Sequence, residues 1–319
     1  MYNVENFSLW CDFVERDFLK SEFIDLLDKE VFNGATSNPA IFKSAFLTSP
    51  AYQEDRAKLK GLNSKEVYEK LAIEDIKRAA DTMLPLYKSG NDGFISIEVD
   101  PTLCDDSEAT IQEGKRLFKE IDRKNVMIKI PATKAGYIAM EELMRSNIHV
   151  NATLIFSPEQ AKNCMEAFKK ANNVKVKGVV SVFVSRFDSK LDKEIESYGM
   201  DTAKIGIYNA IKIYDLIEEY NLPNIRTLFA STGVKSENLE TDYYIKELLF
   251  KNAVNTAPLG TIKAFLNTKS VEKVPTKKYE DYFKQLDKYG LDMQKAYDEL
   301  LEDGLKSFKE AFAQILKEL

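Results

Sequence analysis

Lys129 stands in an apolar run, Asn125-Val126-Met127-Ile128-Lys129-Ile130-Pro131-Ala132-Thr133. Burying an ammonium is costly unless it is paired or gives up its proton, so a lysine in such a run needs a reason. One reason is chemistry: a desolvated lysine becomes a neutral amine that attacks a carbonyl and forms a Schiff base. The plainer alternative is a stem that crosses the core while its head reaches water. Other runs supply what an imine-forming site needs: the carboxylate of Glu98 and the hydroxyls of Thr153 and Ser181. Forming and dehydrating a carbinolamine requires proton shuttling, which a carboxylate and a hydroxyl perform through a bound water. A second carboxylate, Asp12 in Leu9-Trp10-Cys11-Asp12-Phe13, could take the proton from a substrate hydroxyl as a carbon–carbon bond breaks. The protonated imine is itself the electron sink, so this chemistry calls for no metal and no organic cofactor.

The elements that must hold these residues alternate short β-like runs with longer amphipathic stretches. Strand candidates cover residues 8–13, 32–37, 94–100, 126–133, 150–156, 177–185, 226–232 and, more weakly, 254–262. Helical patterns between them include 67–88, 108–123, 137–144, 158–171, 202–220 and 243–251. About eight strand–helix units in one chain predict an α/β fold, a (β/α)8 TIM barrel; an open doubly wound sheet is the runner-up. Alternation along the strands fits a barrel with a polar interior. Ser96, Glu98 and Asp100 share one face of their strand, and Lys129 opposes Val126, Ile128 and Ile130. Asn151 and Thr153 alternate with Val150, Ala152 and Leu154; Ser181, Phe183 and Ser185 with Val180, Val182 and Val184; and Ser231 follows Leu228 and Phe229. Polar groups near strand C-termini mark the catalytic end of such a barrel, although a satisfied core hydrogen bond explains any one of them. We read residues 1–319 as one domain, with a barrel core at about 8–265 and additional C-terminal helices at about 279–319. In that extension Gly290 ends one helix, Asp292 caps the next, and Leu301, Leu305, Phe308, Phe312 and Ile315 form its apolar face. The preceding lysines at 269, 273, 277 and 278 could draw an anion, though a solvated loop is the favoured reading.

Composition removes several function classes. A net charge of -6 opposes an electrostatic nucleic-acid footprint, and no apolar run approaches the roughly 20 residues of a membrane span. The N-terminal residues lack a signal peptide's basic and apolar regions, which predicts a cytoplasmic protein. Cys11, Cys104 and Cys164 are too scattered for a thiolate metal site or a disulfide framework. A single histidine, His149, excludes histidine-cluster metal sites and reads as structural. Neither nucleotide-binding glycine signature occurs.

Taken together, several segments resemble the transaldolase family, particularly its longer bacterial form. They are Asn33-Gly34-Ala35-Thr36-Ser37-Asn38-Pro39-Ala40-Ile41-Phe42, Ile97-Glu98-Val99-Asp100-Pro101, the Lys129 run, Val150-Asn151-Ala152-Thr153-Leu154-Ile155-Phe156-Ser157, Ser181-Val182-Phe183-Val184-Ser185-Arg186 and Ala230-Ser231-Thr232-Gly233. The resemblance implies an enzyme of the pentose phosphate pathway acting on small sugar phosphates, moving a dihydroxyacetone unit from sedoheptulose 7-phosphate to glyceraldehyde 3-phosphate. Carried over, it implies Lys129 as the Schiff-base nucleophile, Asp12 as acid/base, and Glu98 with Thr153 as holders of the catalytic water. Asn38, Asn151, Ser181 and Ser231 would contact the substrate, Phe183 would line the pocket, and Arg186 would grip the phosphate. Many shorter relatives carry a second phosphate-binding arginine after the Ala-Ser of the seventh strand. Here Thr232-Gly233-Val234-Lys235 follows instead, so Lys235 would serve as a point charge.

Two rival functions remain. A fructose 6-phosphate aldolase shares the barrel and the lysine, but that group is shorter and usually carries glutamine in place of Glu98 and tyrosine in place of Phe183. A non-catalytic sugar-phosphate-binding barrel would bind without imine chemistry.

Overall fold

The computed structural model describes residues 4–268 and 279–319. Eight parallel strands close in sequence order: β1 (Ser8–Cys11), β2 (Gly34–Thr36), β3 (Ile95–Glu98), β4 (Val126–Pro131), β5 (His149–Ile155), β6 (Gly178–Phe183), β7 (Ile225–Ala230) and β8 (Ala253–Ala257). β8 pairs back onto β1, so no edge strand is left, and helices surround the barrel. The eight expected strands are all present, with additional C-terminal helices. The lysines at 269, 273, 277 and 278 lie outside the described residues. Among the described residues no helix is long and apolar enough to cross a membrane.

Alternation sorts the side chains. Outward residues such as Val126, Ile128, Ile130, Val180 and Val182 pack under the helices, while Trp10, Phe94, Met127, Val179, Leu228 and Val254 form an apolar plug near the strand N-termini. Above that plug the interior turns polar, with Ser96, Asn151 and Ser181 fully buried and bonded to one another.

Three details differ from the sequence reading. The eighth strand ends at Ala257 rather than near 262, because Pro258 cannot continue the ladder and instead opens the helix Leu259–Leu266. Asp100 leaves the barrel interior altogether: it caps the short turn Pro101–Leu103 and pairs with Lys65 at 2.7 Å. Leu154, expected on the outer face, adopts φ +58° where the β5–β6 register shifts, and joins the inner apolar cluster. A bulge of this kind re-aims one side chain at a strand's end.

The C-terminal helix, Met293–Glu318, starts at an Asp292 cap that accepts the Lys295 N–H at 3.0 Å. It packs on the helices Pro39–Thr48 and Ser64–Ser89 and reaches β5, so it lies across the C-terminal mouth of the barrel. Of its expected apolar face, Phe308, Phe312 and Ile315 are buried, and Leu301 and Leu305 are half-buried.

The turn that follows Asp12 is fixed by a buried ion pair. Arg16 Nε donates to Asp75 Oδ1 at 2.8 Å, Tyr52 Oη donates to Asp75 Oδ2 at 2.8 Å, and Asp55 also pairs with the guanidinium. Asp75 is fully buried in the Ser64–Ser89 helix, so removing its carboxylate strands a cation. Asp75→Ala is expected to lower unfolding free energy by roughly 3–5 kcal/mol in urea titration. A loss below about 1 kcal/mol would show that Asp55 alone satisfies Arg16.

Candidate active site

Strand register builds the centre of the site. Glu98 on β3 pairs with Lys129 on β4, and Lys129 pairs with Asn151 on β5, which places the three side by side across adjacent strands. Lys129 is 5% exposed, so its head does not reach bulk water. Its Nζ donates to the Ser37 carbonyl at 3.1 Å and lies 3.7 Å from Glu98 Oε2. The Phe308 ring of the C-terminal helix stands over it, 5.7 Å from Nζ to ring centroid. Asp12 follows β1, and its Oδ1 accepts a 2.6 Å hydrogen bond from Thr36 Oγ1, which also sits 2.6 Å from Thr256 Oγ1. Asp12, Asn38, Lys129, Ser181, Phe183 and Arg186 open onto one pocket of about 160 Å³ at the strand C-termini.

Burial sets the electrostatics. It pushes the Asp12 carboxyl above its ordinary value, against the opposing pull of Lys129 and the Thr36 hydrogen bond. It pushes Glu98 up to about 7, with Lys129 opposing and Asp12 adding to the rise. Both Glu98 carboxylate oxygens and the Thr153 hydroxyl are buried without a hydrogen-bond partner in the protein. Buried polar atoms of this kind suit a small bridging molecule, since leaving them unmet is costly.

At the outer end, Arg186 lies in the first turn of the helix Ser185–Ser197, with its guanidinium carbon 5.2 Å from the Phe183 ring centroid. A permanent cation beside helix N–H groups suits an anionic substrate group. Lys235 is exposed and does not line the pocket. Its amine is held below the ordinary lysine value by partial desolvation and by the charge of Arg186, so the two cations share a field.

A profile of the Transaldolase/Fructose-6-phosphate aldolase family matches residues 9–319. The chain belongs to that family. It is 50% identical to a transaldolase of Campylobacter jejuni subsp. doylei, over 99% of this chain and all of that one. It is 44% identical to a transaldolase of Helicobacter pylori, over 98% of this chain and 99% of that one.

Among the residues singled out from the sequence of this family member, Asp12, Asn38, Lys129, Ser181, Phe183, Arg186 and Ser231 line the pocket. Glu98, Asn151 and Thr153 lie deeper, on the interior faces of β3 and β5. Asn38 also caps the helix Pro39–Thr48, its Oδ1 accepting the Ile41 N–H at 3.0 Å. Ser231 comes just after β7 at φ +55°, its hydroxyl 3.0 Å from that of Ser185. Sequence reasoning missed Thr36, Thr256 and Phe308. The two threonines carry a signal in strand alternation, Thr36 as the partner of Asp12 and Thr256 as the partner of Thr36, whereas nothing local places Phe308 over a lysine 179 residues earlier.

His149 sits at the opposite end of β5, where its Nδ1 accepts the Lys177 N–H at 2.7 Å and burial holds its pKa down to about 4. A larger cavity of about 290 Å³ opens there, beside Trp10, Asp92 and Arg226. Its charged groups answer one another, since Asp92 accepts from both Arg226 and Trp10. Among the described residues no cluster of His, Cys, Asp or Glu could hold a metal ion.

The raised pKa of Glu98 has a measurable consequence for stability. The folded protein keeps this proton up to about pH 7, whereas the unfolded chain releases it near 4.5, so stability falls as pH rises through that window. Between pH 4.5 and 7.5 the unsubstituted protein should lose on the order of 2 kcal/mol more than Glu98→Gln, read from urea midpoints. Parallel losses in both proteins would place the titration elsewhere.

Proposed function

We propose that this chain is a cofactor-independent transaldolase. On this reading it transfers a dihydroxyacetone unit from sedoheptulose 7-phosphate to glyceraldehyde 3-phosphate, giving erythrose 4-phosphate and fructose 6-phosphate in the pentose phosphate pathway. The observation that carries it is Lys129: an amine removed from bulk water, 3.7 Å from a carboxyl that titrates near neutrality. The lysine attacks the donor ketone. Glu98 and Thr153, whose side-chain oxygens make no hydrogen bond within the protein, would hold the water that relays protons during dehydration to the imine. Asp12 then accepts the hydroxyl proton as the carbon–carbon bond breaks, and its raised pKa suits a group that must also return a proton. Asn38, Asn151, Ser181 and Ser231 would position the dihydroxyacetone portion against Phe183. Arg186, with Lys235 contributing field, would bind the phosphate.

The aldolase reading is supported by the shared family and the shared lysine. Glu98 and Phe183 stand where that group usually has glutamine and tyrosine, which favours transfer. Sugar phosphates are then the partners of this site, and a cytoplasmic setting fits that metabolism.

Incubation with fructose 6-phosphate and borohydride, followed by intact mass and peptide mapping, should yield a reduced dihydroxyacetone adduct on Lys129. Lys129→Ala should give no adduct and no turnover; an adduct on another lysine, or transfer by that variant, would refute the assignment. Arg186→Ala should raise KM for phosphorylated sugars by roughly 10- to 100-fold, the worth of a charge-assisted contact, with a smaller effect on kcat. An unchanged KM would move the phosphate site elsewhere.

A further inference from the structure

A transaldolase faces a choice that an aldolase does not. After the first product leaves, the three-carbon fragment stays on the lysine as an enamine in equilibrium with its imine. Hydrolysis adds water across the C=N bond: oxygen bonds to the imine carbon, nitrogen takes a proton, and the C–N bond breaks to release free dihydroxyacetone and the amine. Transfer instead joins the enamine carbon to the acceptor's carbonyl carbon, whose oxygen takes a proton. The same hydrolysis must run after transfer to free the new ketose. The site therefore needs one controlled water and protection from the rest.

We infer that Phe308 supplies that protection and is a specificity-determining residue for transfer over hydrolysis. The inference rests on the transaldolase reading of the site. Phe308 comes from the Met293–Glu318 helix, outside the eight strand–helix units, yet it lines the same pocket as Asp12 and Arg186. It is 5% exposed, and its ring stands over Lys129 Nζ, 5.7 Å from nitrogen to ring centroid. An aromatic face there covers the nitrogen without offering a hydrogen bond that would order a second water.

The helix can come this close because of Gly304, one turn before Phe308. A Cβ at that position would lie 3.0 Å from Leu154 Cδ2 and 3.3 Å from Arg186 Nη1, tighter than ordinary contact. Leu154 is the residue that the β5 bulge turns inward at φ +58°. Bulge, glycine and phenylalanine thus form one device: the bulge presents a seat, the glycine lets the helix settle on it, and the phenylalanine covers the lysine.

The test is a ratio within one reaction: free dihydroxyacetone released per transfer to glyceraldehyde 3-phosphate, with fructose 6-phosphate as donor. A ratio does not depend on how much of a variant is folded. Phe308→Ser should raise it by about tenfold or more, equivalent to at least about 1.4 kcal/mol in partitioning, whereas Phe308→Leu, still apolar, should raise it far less. Gly304→Ala keeps a good helix former and tests the same device by crowding the seat against Leu154, and it should raise the ratio in the same direction. A ratio unchanged in Phe308→Ser and Gly304→Ala, or raised equally by Leu and Ser, would overturn the inference while leaving the transaldolase reading intact. An unsubstituted protein that neither transfers nor traps an imine would overturn both.

Discussion

An amine in the interior of a closed barrel is the constraint around which the rest of the molecule is arranged. Lys129 is 5% exposed, and an isolated ammonium there would be prohibitively costly. What offsets that cost comes from four separate elements. The Ser37 carbonyl arrives from the loop after β2, Glu98 from β3, the charge of Asp12 from the end of β1, and the Phe308 ring from the C-terminal helix. Two of these depend on parallel strands keeping register, since a slip of one residue would turn Glu98 outward under the helices. The environment of the lysine therefore depends on barrel closure.

The same logic explains why one end of the barrel is quiet and the other reactive. Near the strand N-termini, charged groups are matched: Asp92 accepts from Trp10 and Arg226, and burial holds the His149 pKa down. Near the C-termini, Glu98 and Thr153 keep side-chain oxygens that make no hydrogen bond within the protein. Asn33 and Asn125 near the N-termini also keep an unmet amide oxygen, so what sets the C-terminal end apart is an ionisable carboxyl left without a hydrogen bond beside a buried lysine. Volume points the other way, because the larger cavity is at the quiet end. Chemistry follows the unmatched groups rather than the space.

Much of this was legible in the sequence because strand alternation is a strictly local signal. Val126, Ile128 and Ile130 declare an outward face, and the lysine between them has to point inward. The signal weakens where strands end. Asp100 keeps the phase of Ser96 and Glu98, yet it sits beyond the last ladder pair, where a cap and Lys65 claim it. Leu154 breaks phase because a bulge inserts a residue, and Pro258 converts the tail of an apolar run into a helix start. Two kinds of contact are invisible to any side-chain pattern. One is the Ser37 backbone carbonyl on Lys129; the other is the meeting of Phe308 with that lysine across the whole chain.

That last contact brings a helix appended to a barrel up against the lysine in its interior. Eight strand–helix units suffice to place Asp12, Glu98, Lys129 and Thr153, but they leave the mouth of the barrel open to water. Covering it requires an apolar side chain delivered from above, and the approach distance is limited by whatever lines the rim. Here the rim residue is Leu154, already displaced inward, and a side chain at position 304 would crowd it and Arg186. A glycine in the middle of a 26-residue helix costs about 1 kcal/mol in propensity against alanine. Closer packing offsets that cost, because the helix face that Gly304 seats also buries Phe308, Phe312 and Ile315. The covering of the lysine and the anchoring of the C-terminal helix are therefore a single packing event.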